Sequence, residues 1–197
     1  EYIHNGIFEF EAGGSIKDIH IAYHTSERPW QEGDERKVIW ICHALTANSN
    51  PEEWWPELVG PGKLFDTEKY FVVCANMLGS PYGSSGPSSI NPETGQPYYF
   101  DFPLITVRDI VKANDIVRRH IGIEKIDLMI GGSIGGFQSL EWAVMEPDVI
   151  KTIVGIQTIT SGDNNMGDQI GEQAVSRARA RRDELANLFA DLKEDSE

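Results

Sequence analysis

Long apolar runs are missing from this sequence: no stretch approaches the ~18 consecutive apolar residues that read as a membrane-spanning helix. Basic charge is scarce as well, with 17 Lys and Arg against 31 Asp and Glu, a net charge of −14. That balance argues against a general nucleic-acid binder, which needs a basic face to displace counterions. It also disfavours adhesion to anionic membranes. Cysteine is limited to Cys42 and Cys74, each inside an apolar strand-like run, so both read as buried reduced thiols with no support for a disulfide between them. Two cysteines and five scattered histidines make no zinc spacing. Residues 1–11 show no basic stretch followed by an apolar one, so no signal peptide is visible and the expected location is the cytoplasm. Internal repeats and low-complexity tracts are absent too.

What is present suits a globular chain. Hydrophobic residues make up 40% of 197 positions, enough to bury a core without disulfides or metals. Residues 7–11 and 19–23 alternate apolar and polar around Ala12-Gly13-Gly14-Ser15, which predicts an antiparallel hairpin. Short apolar runs at 38–42, 70–75, 126–130 and 152–156 suit strands buried on both faces of a parallel sheet. Between them a helical stripe runs from Val107 to Ile121, and a second helix from Gly135 to Met145 stops before Pro147. The pattern predicts an α/β fold, a mainly parallel sheet with helices on both faces. Residues 1–161 would form that core, and 162–197 a charged helical segment with apolar positions Leu185, Leu188, Phe189 and Leu192.

The sharpest chemical signal is Gly131-Gly132-Ser133-Ile134-Gly135. It is a G-x-S-x-G placed directly between an apolar strand and a helix, the context a nucleophile elbow requires. On this reading Ser133 is the nucleophile and the Ile134 N–H is one oxyanion donor, helped by the positive end of the helix. The plainer reading is a glycine-rich turn with an incidental serine. His43-Ala44-Leu45-Thr46 follows the strand ending at Cys42, where the α/β-hydrolase plan places the loop with the other oxyanion N–H. The backbone of Leu45 or Thr46 is the candidate, while His43 reads as a loop-shaping residue. Nucleotide cradles do not fit: Ser133 stands where a dinucleotide loop needs glycine, and Leu64 follows Lys63 where a phosphate loop needs Ser or Thr.

Taken in order, His43-Ala44-Leu45-Thr46, Gly60-Pro61-Gly62-Lys63, Cys74-Ala75-Asn76, the run from Tyr82 to Gly95, Asp101-Phe102-Pro103, Thr106 to Asp109, and Gly131 to Gly136 with Gln138 and Leu140 to Ala143 resemble the homoserine O-acetyltransferase family. These are the α/β-hydrolase-fold acyltransferases of methionine biosynthesis, and the matching pieces cover most of residues 35 to 156, the N-terminal part of the family pattern only. The resemblance implies a ping-pong reaction. Ser133 would take the acetyl group from acetyl-CoA, and the hydroxyl of L-homoserine would then attack the acyl-enzyme. It implies these two small-molecule substrates, no resident cofactor or metal, and is compatible with a homodimer. The loop from Gly83 to Asn91 is placed to line the acyl pocket or to serve as a rigid structural loop.

The family order is Ser, then Asp, then His, and no histidine follows His120. His120 itself reads as a helix C-terminal residue interacting with the dipole. Asp163 offers an acid without a base, and Arg177, Arg179, Arg181 and Arg182 read as a solvated face. Residues 157–197 depart from the family pattern. A serine without a general base is a weak nucleophile, so little or no turnover is expected of this chain alone. Alternatives on the same scaffold are a non-catalytic binding or assembly protein, a homoserine O-succinyltransferase or another serine hydrolase.

Overall fold

A computed structural model describes residues 1–156. The expected strands supply its central sheet: β5 (Tyr23–Thr25), β6 (Val38–Cys42), β7 (Phe71–Ala75), β8 (Leu128–Gly132) and β9 (Ile153–Ile156), in the order β5-β7-β6-β8-β9. The last four are parallel and β5 joins β7 antiparallel. All five residues of β6 and of β7 are buried, as their unbroken apolar sequences require. Alternate residues feed two cores. Trp40, Cys42, Val73 and Met129 face one side; Ile39, Ile41, Val72, Cys74 and Ile130 face the other. Cys42 and Cys74 thus lie on opposite sides of the sheet, both as free buried thiols. Burial pushes the Cys42 thiol up to about 12 and Cys74 well above its ordinary value.

Two longer helices cover the first side. α2 (Val107–Ile121) occupies the span its stripe predicts. Thr106 caps it, accepting from the Asp109 N–H, while the Asp109 carboxylate accepts from the Thr106 N–H at 2.9 Å. Gly122, at φ 87°, ends it in the left-handed conformation glycine tolerates. α3 (Ile134–Met145) packs Trp142 edge-on against Trp40, ring centroids 5.0 Å apart. The other side is covered more thinly, by the single-turn α1 (Pro51–Trp54) and by Trp55, Leu58 and Phe65. Helices on both faces therefore hold among the described residues only with α1 counted.

The N-terminal hairpin forms, with a different return strand. β2 (Ile7–Glu9) pairs with β3 (Ser15–Lys17), so Ser15 belongs to the strand rather than the turn. Asp18 then adopts φ 56° and its carboxylate accepts from the Gly6 N–H, redirecting the chain. Residues 19–23 consequently divide. β4 (His20–Ile21) pairs with β1 (Tyr2–Ile3), and Tyr23 opens β5. The run 126–130 is displaced similarly. The Asp127 side chain accepts the Val38 N–H, so the ladder with β6 starts at Leu128 and extends through the glycines to Gly132. The segment 162–197 lies outside the described residues, as do Asp163, the arginine cluster and the stripe from Leu185 to Leu192.

Candidate functional site

Ser133 sits at the carboxyl end of β8, as N-cap of α3, and is exposed. Its backbone, at φ 54° and ψ −122°, occupies a region costly for a residue with a side chain. The turn is held on both sides: the Ser133 N–H donates to the Ile156 carbonyl at 3.0 Å, and the Ser133 carbonyl accepts from Gly136 N–H at 3.0 Å. The side chain makes no capping bond to its own helix. Ile134 is the first helical residue, where backbone N–H groups have no intrahelical acceptor.

The glycines around Ser133 are fixed by close approach. A Cβ on Gly131 would stand 2.2 Å from the Gly135 carbonyl oxygen, and one on Gly135 would stand 2.1 Å from that of Cys42 and 3.1 Å from that of His43. The start of α3 therefore rests directly on the backbone that leaves β6. Register agrees, since Cys42 is the neighbour of Gly131. The expected oxyanion loop and the serine elbow thus leave adjacent strands at the same end of the sheet. Ala44 to Ala47 forms a turn closed by the Ala47 N–H donating to the Ala44 carbonyl at 3.0 Å. That bond leaves the N–H groups of Leu45 and Thr46, the central residues, outside the turn.

His43 is fully buried and both ring nitrogens are engaged. Nε2 accepts from the Met77 N–H at 3.1 Å, so the proton sits on Nδ1, which donates to the Ala44 carbonyl at 2.8 Å. Burial pushes its pKa below the ordinary 6.5, outweighing the backbone bond to Ala44. His43 shapes the loop and is not free to take a proton from Ser133. The other histidines are placed elsewhere. His24 meets Ser49, His20 meets Glu1, the Nε2 of His4 lies near Gly6, and His120 stacks on Tyr2 at the end of α2.

The loop from Gly83 to Asn91 takes a structural part. The buried Ser84 hydroxyl donates to the Asn76 carbonyl and accepts from Ala22 N–H, while Ser85 binds the backbone of His20. With the hairpin it lines a cleft of about 470 Å³ that includes Ile16, Ser84, Ile90, Tyr98 and Phe102 but not Ser133. Three residues that motif reading did not assign to the site form a chain onto His43: Met77 and Gln138 bond to it, and Asn114 bonds to Gln138. The signal in the sequence for Asn114 and Gln138 is their placing on the buried faces of α2 and α3. No group of acidic, histidine and cysteine side chains among the described residues is arranged to hold a metal ion. No helix among them is long and apolar enough to cross a membrane.

A family model described as the alpha/beta hydrolase fold matches residues 37–194, so the match extends well past the described residues. The chain is 52% identical over 134 residues to a homoserine O-acetyltransferase of Cyclobacterium marinum, covering 68% of this chain and 38% of that protein. Among solved structures, the homoserine O-acetyltransferase of Bacillus anthracis superposes with a TM-score of 0.69 at 34% identity, covering 78% of this chain and 44% of that one. Esterase E22 gives 0.68 at 28% identity, covering 78% and 46%. The chain spans less than half the length of these relatives. The motif-based resemblance to homoserine O-acetyltransferases is therefore matched by overall sequence identity and by backbone geometry, and the chain belongs to the alpha/beta hydrolase fold family.

Proposed function

We propose that this chain carries the nucleophile and oxyanion part of a homoserine O-acetyltransferase site, working in the cytoplasm. The observation that carries this reading is the strained Ser133 turn at the carboxyl end of β8, resting through Gly135 on the backbone of Cys42 and His43. Identity to homoserine O-acetyltransferases supports an acetyl rather than a succinyl donor. In the first step the Ser133 oxygen bonds to the acetyl carbon of acetyl-CoA while the carbon–sulfur bond breaks and CoA leaves as its thiol. In the second, the homoserine hydroxyl attacks the acyl-serine, forming O-acetylhomoserine and restoring Ser133. The N–H groups of Ile134 and of Leu45 or Thr46 hold the oxyanion that forms in each step. No histidine among the described residues is placed as a general base for Ser133, since His43 is committed to Met77 and Ala44, and no histidine follows His120 in the sequence. This chain alone therefore transfers acetyl groups slowly or not at all.

A second reading is supported by the similarity to esterase E22: the acyl-serine passes to water instead of homoserine. Incubation with acetyl-CoA, with and without homoserine, separates the two, with free thiol and intact protein mass followed together. Acetyl on Ser133 whose loss is speeded by homoserine supports the transferase. Loss indifferent to homoserine supports the hydrolase. Acetyl that persists in Ser133→Ala refutes both.

A further inference from the structure

Gln138 is a fully buried amide on α3, where Ser139 and Glu141 are buried as well: Ser139 bonds back to the Gly135 carbonyl and Glu141 pairs with Arg108, while Gln138 reaches away from its own helix. It lies five positions past Ser133 and turns toward the end of β6. Its Nε2 lies 3.4 Å from the His43 carbonyl and 3.0 Å from the Met77 sulfur, while its Oε1 accepts from Asn114 Nδ2 at 3.4 Å. Asn114 is itself 1% exposed on α2. His43 meanwhile receives the Met77 N–H and donates to the Ala44 carbonyl. The first residues of the oxyanion loop are thus held by Gln138 of α3, itself bonded by Asn114 of α2, and by Met77 just after β7.

A buried amide is costly unless its groups are used, and an apolar side chain of similar volume would fill the same space without that cost. Here the amide nitrogen is shared between the Met77 sulfur and the carbonyl at the root of the loop whose next N–H groups are the candidate oxyanion donors. We propose that Gln138 is a positioning residue that fixes the loop from His43 to Thr46 relative to Ser133. It touches no reacting atom and acts through the peptide of His43. Ser133 and Gln138 share one helix, so nucleophile and oxyanion loop are held to a common frame. This assignment rests on the reading of Ser133 as nucleophile.

Gln138→Met tests it, since methionine keeps the length and burial and removes the donor. The full 197-residue chain is compared with the variant by amide hydrogen exchange and by acylation with p-nitrophenyl acetate at alkaline pH. In that probe reaction the Ser133 oxygen bonds to the acetyl carbon, p-nitrophenolate leaves, and the serine proton goes to hydroxide. Expected is exchange at the bonded amides of Ala47 and Met77 raised about tenfold, with unchanged protection in β6 and β8 and a closely similar melting temperature. Ser133-dependent acylation should slow about tenfold at an unchanged half-saturating ester concentration, as befits a loosened rather than deleted oxyanion loop. Unchanged exchange at the loop overturns the proposal whatever the acylation rate. Raised exchange with unchanged acylation overturns it as well, because the loop would then move without consequence for Ser133. If the unsubstituted chain shows no Ser133-dependent acylation, the nucleophile reading fails, and the exchange result alone supports or overturns the grip on the loop.

Discussion

Replacing Gly135 by alanine puts one methyl group where backbone already stands. The new Cβ would lie 2.1 Å from the Cys42 carbonyl oxygen and 2.8 Å from its carbon. Real Cβ contacts essentially never fall below 3.0 Å, so α3 and the end of β6 must separate by about 1 Å, in an interior packed as densely as a crystal. Neither neighbour is the tip of a flexible side chain, so rotamer change gives no relief. Overpacking of this kind costs roughly 1–3 kcal/mol, partly offset by alanine's better helix propensity of up to ~1 kcal/mol. For a domain of this size that is a fall of about 2–8 °C in melting temperature. Gly132→Ala is the internal control, because its nearest new contact is an ordinary 3.7 Å to the Ile156 carbonyl. Thermal unfolding of the three proteins side by side is the assay, with hydrogen exchange at the bonded amides of Ala47 and Met77 reporting displacement of the loop. Equal melting temperatures for the two alanine variants would refute the close-approach reasoning.

Other outcomes follow from the same geometry. Ser133→Gly should raise the melting temperature, since it releases a positive-φ strain of about 1–3 kcal/mol, while removing any acyl attachment; unchanged or lower stability would count against a strained elbow. His43, neutral and buried, binds its proton more readily in the unfolded chain, so stability should be full above pH 6.5 and decline as pH falls below it. Urea unfolding across that range should show a flatter pH profile for His43→Asn. Asp109→Ala removes the acceptor for the N–H groups of Thr106 and Glu11, and should lower unfolding free energy by about 1–3 kcal/mol. A loss within ±0.5 kcal/mol would mean the capping box is dispensable.

The elements that sequence predicted well are those with one dominant local signal. The run Val38 to Cys42 is apolar at every position, as a doubly buried strand requires, and the helical stripe from Val107 to Ile121 coincides with α2. Strand limits set by distant side chains were not legible. Asp127 capping Val38 across the sheet shortens β8 at its start, and the Asp18–Gly6 pairing decides where the hairpin returns. At the site, G-x-S-x-G announced the turn, yet it could not say that Gly135 presses on Cys42 rather than merely on its own helix. The clamp of Met77, Gln138 and Asn114 on the His43 region joins residues far apart in the chain. Its only local trace is an amide on each of two buried helix faces.

The most direct test of the central claim is the site and fate of acetyl on the 197-residue chain after incubation with acetyl-CoA and homoserine, read by intact mass, peptide mapping and free thiol together. Expected is no sustained thiol release, with any acetyl carried by the protein mapping to Ser133 and disappearing in Ser133→Ala. Sustained Ser133-dependent release would contradict the reading that these residues supply no general base. Acetyl mapping to any other side chain would contradict Ser133 as the nucleophile.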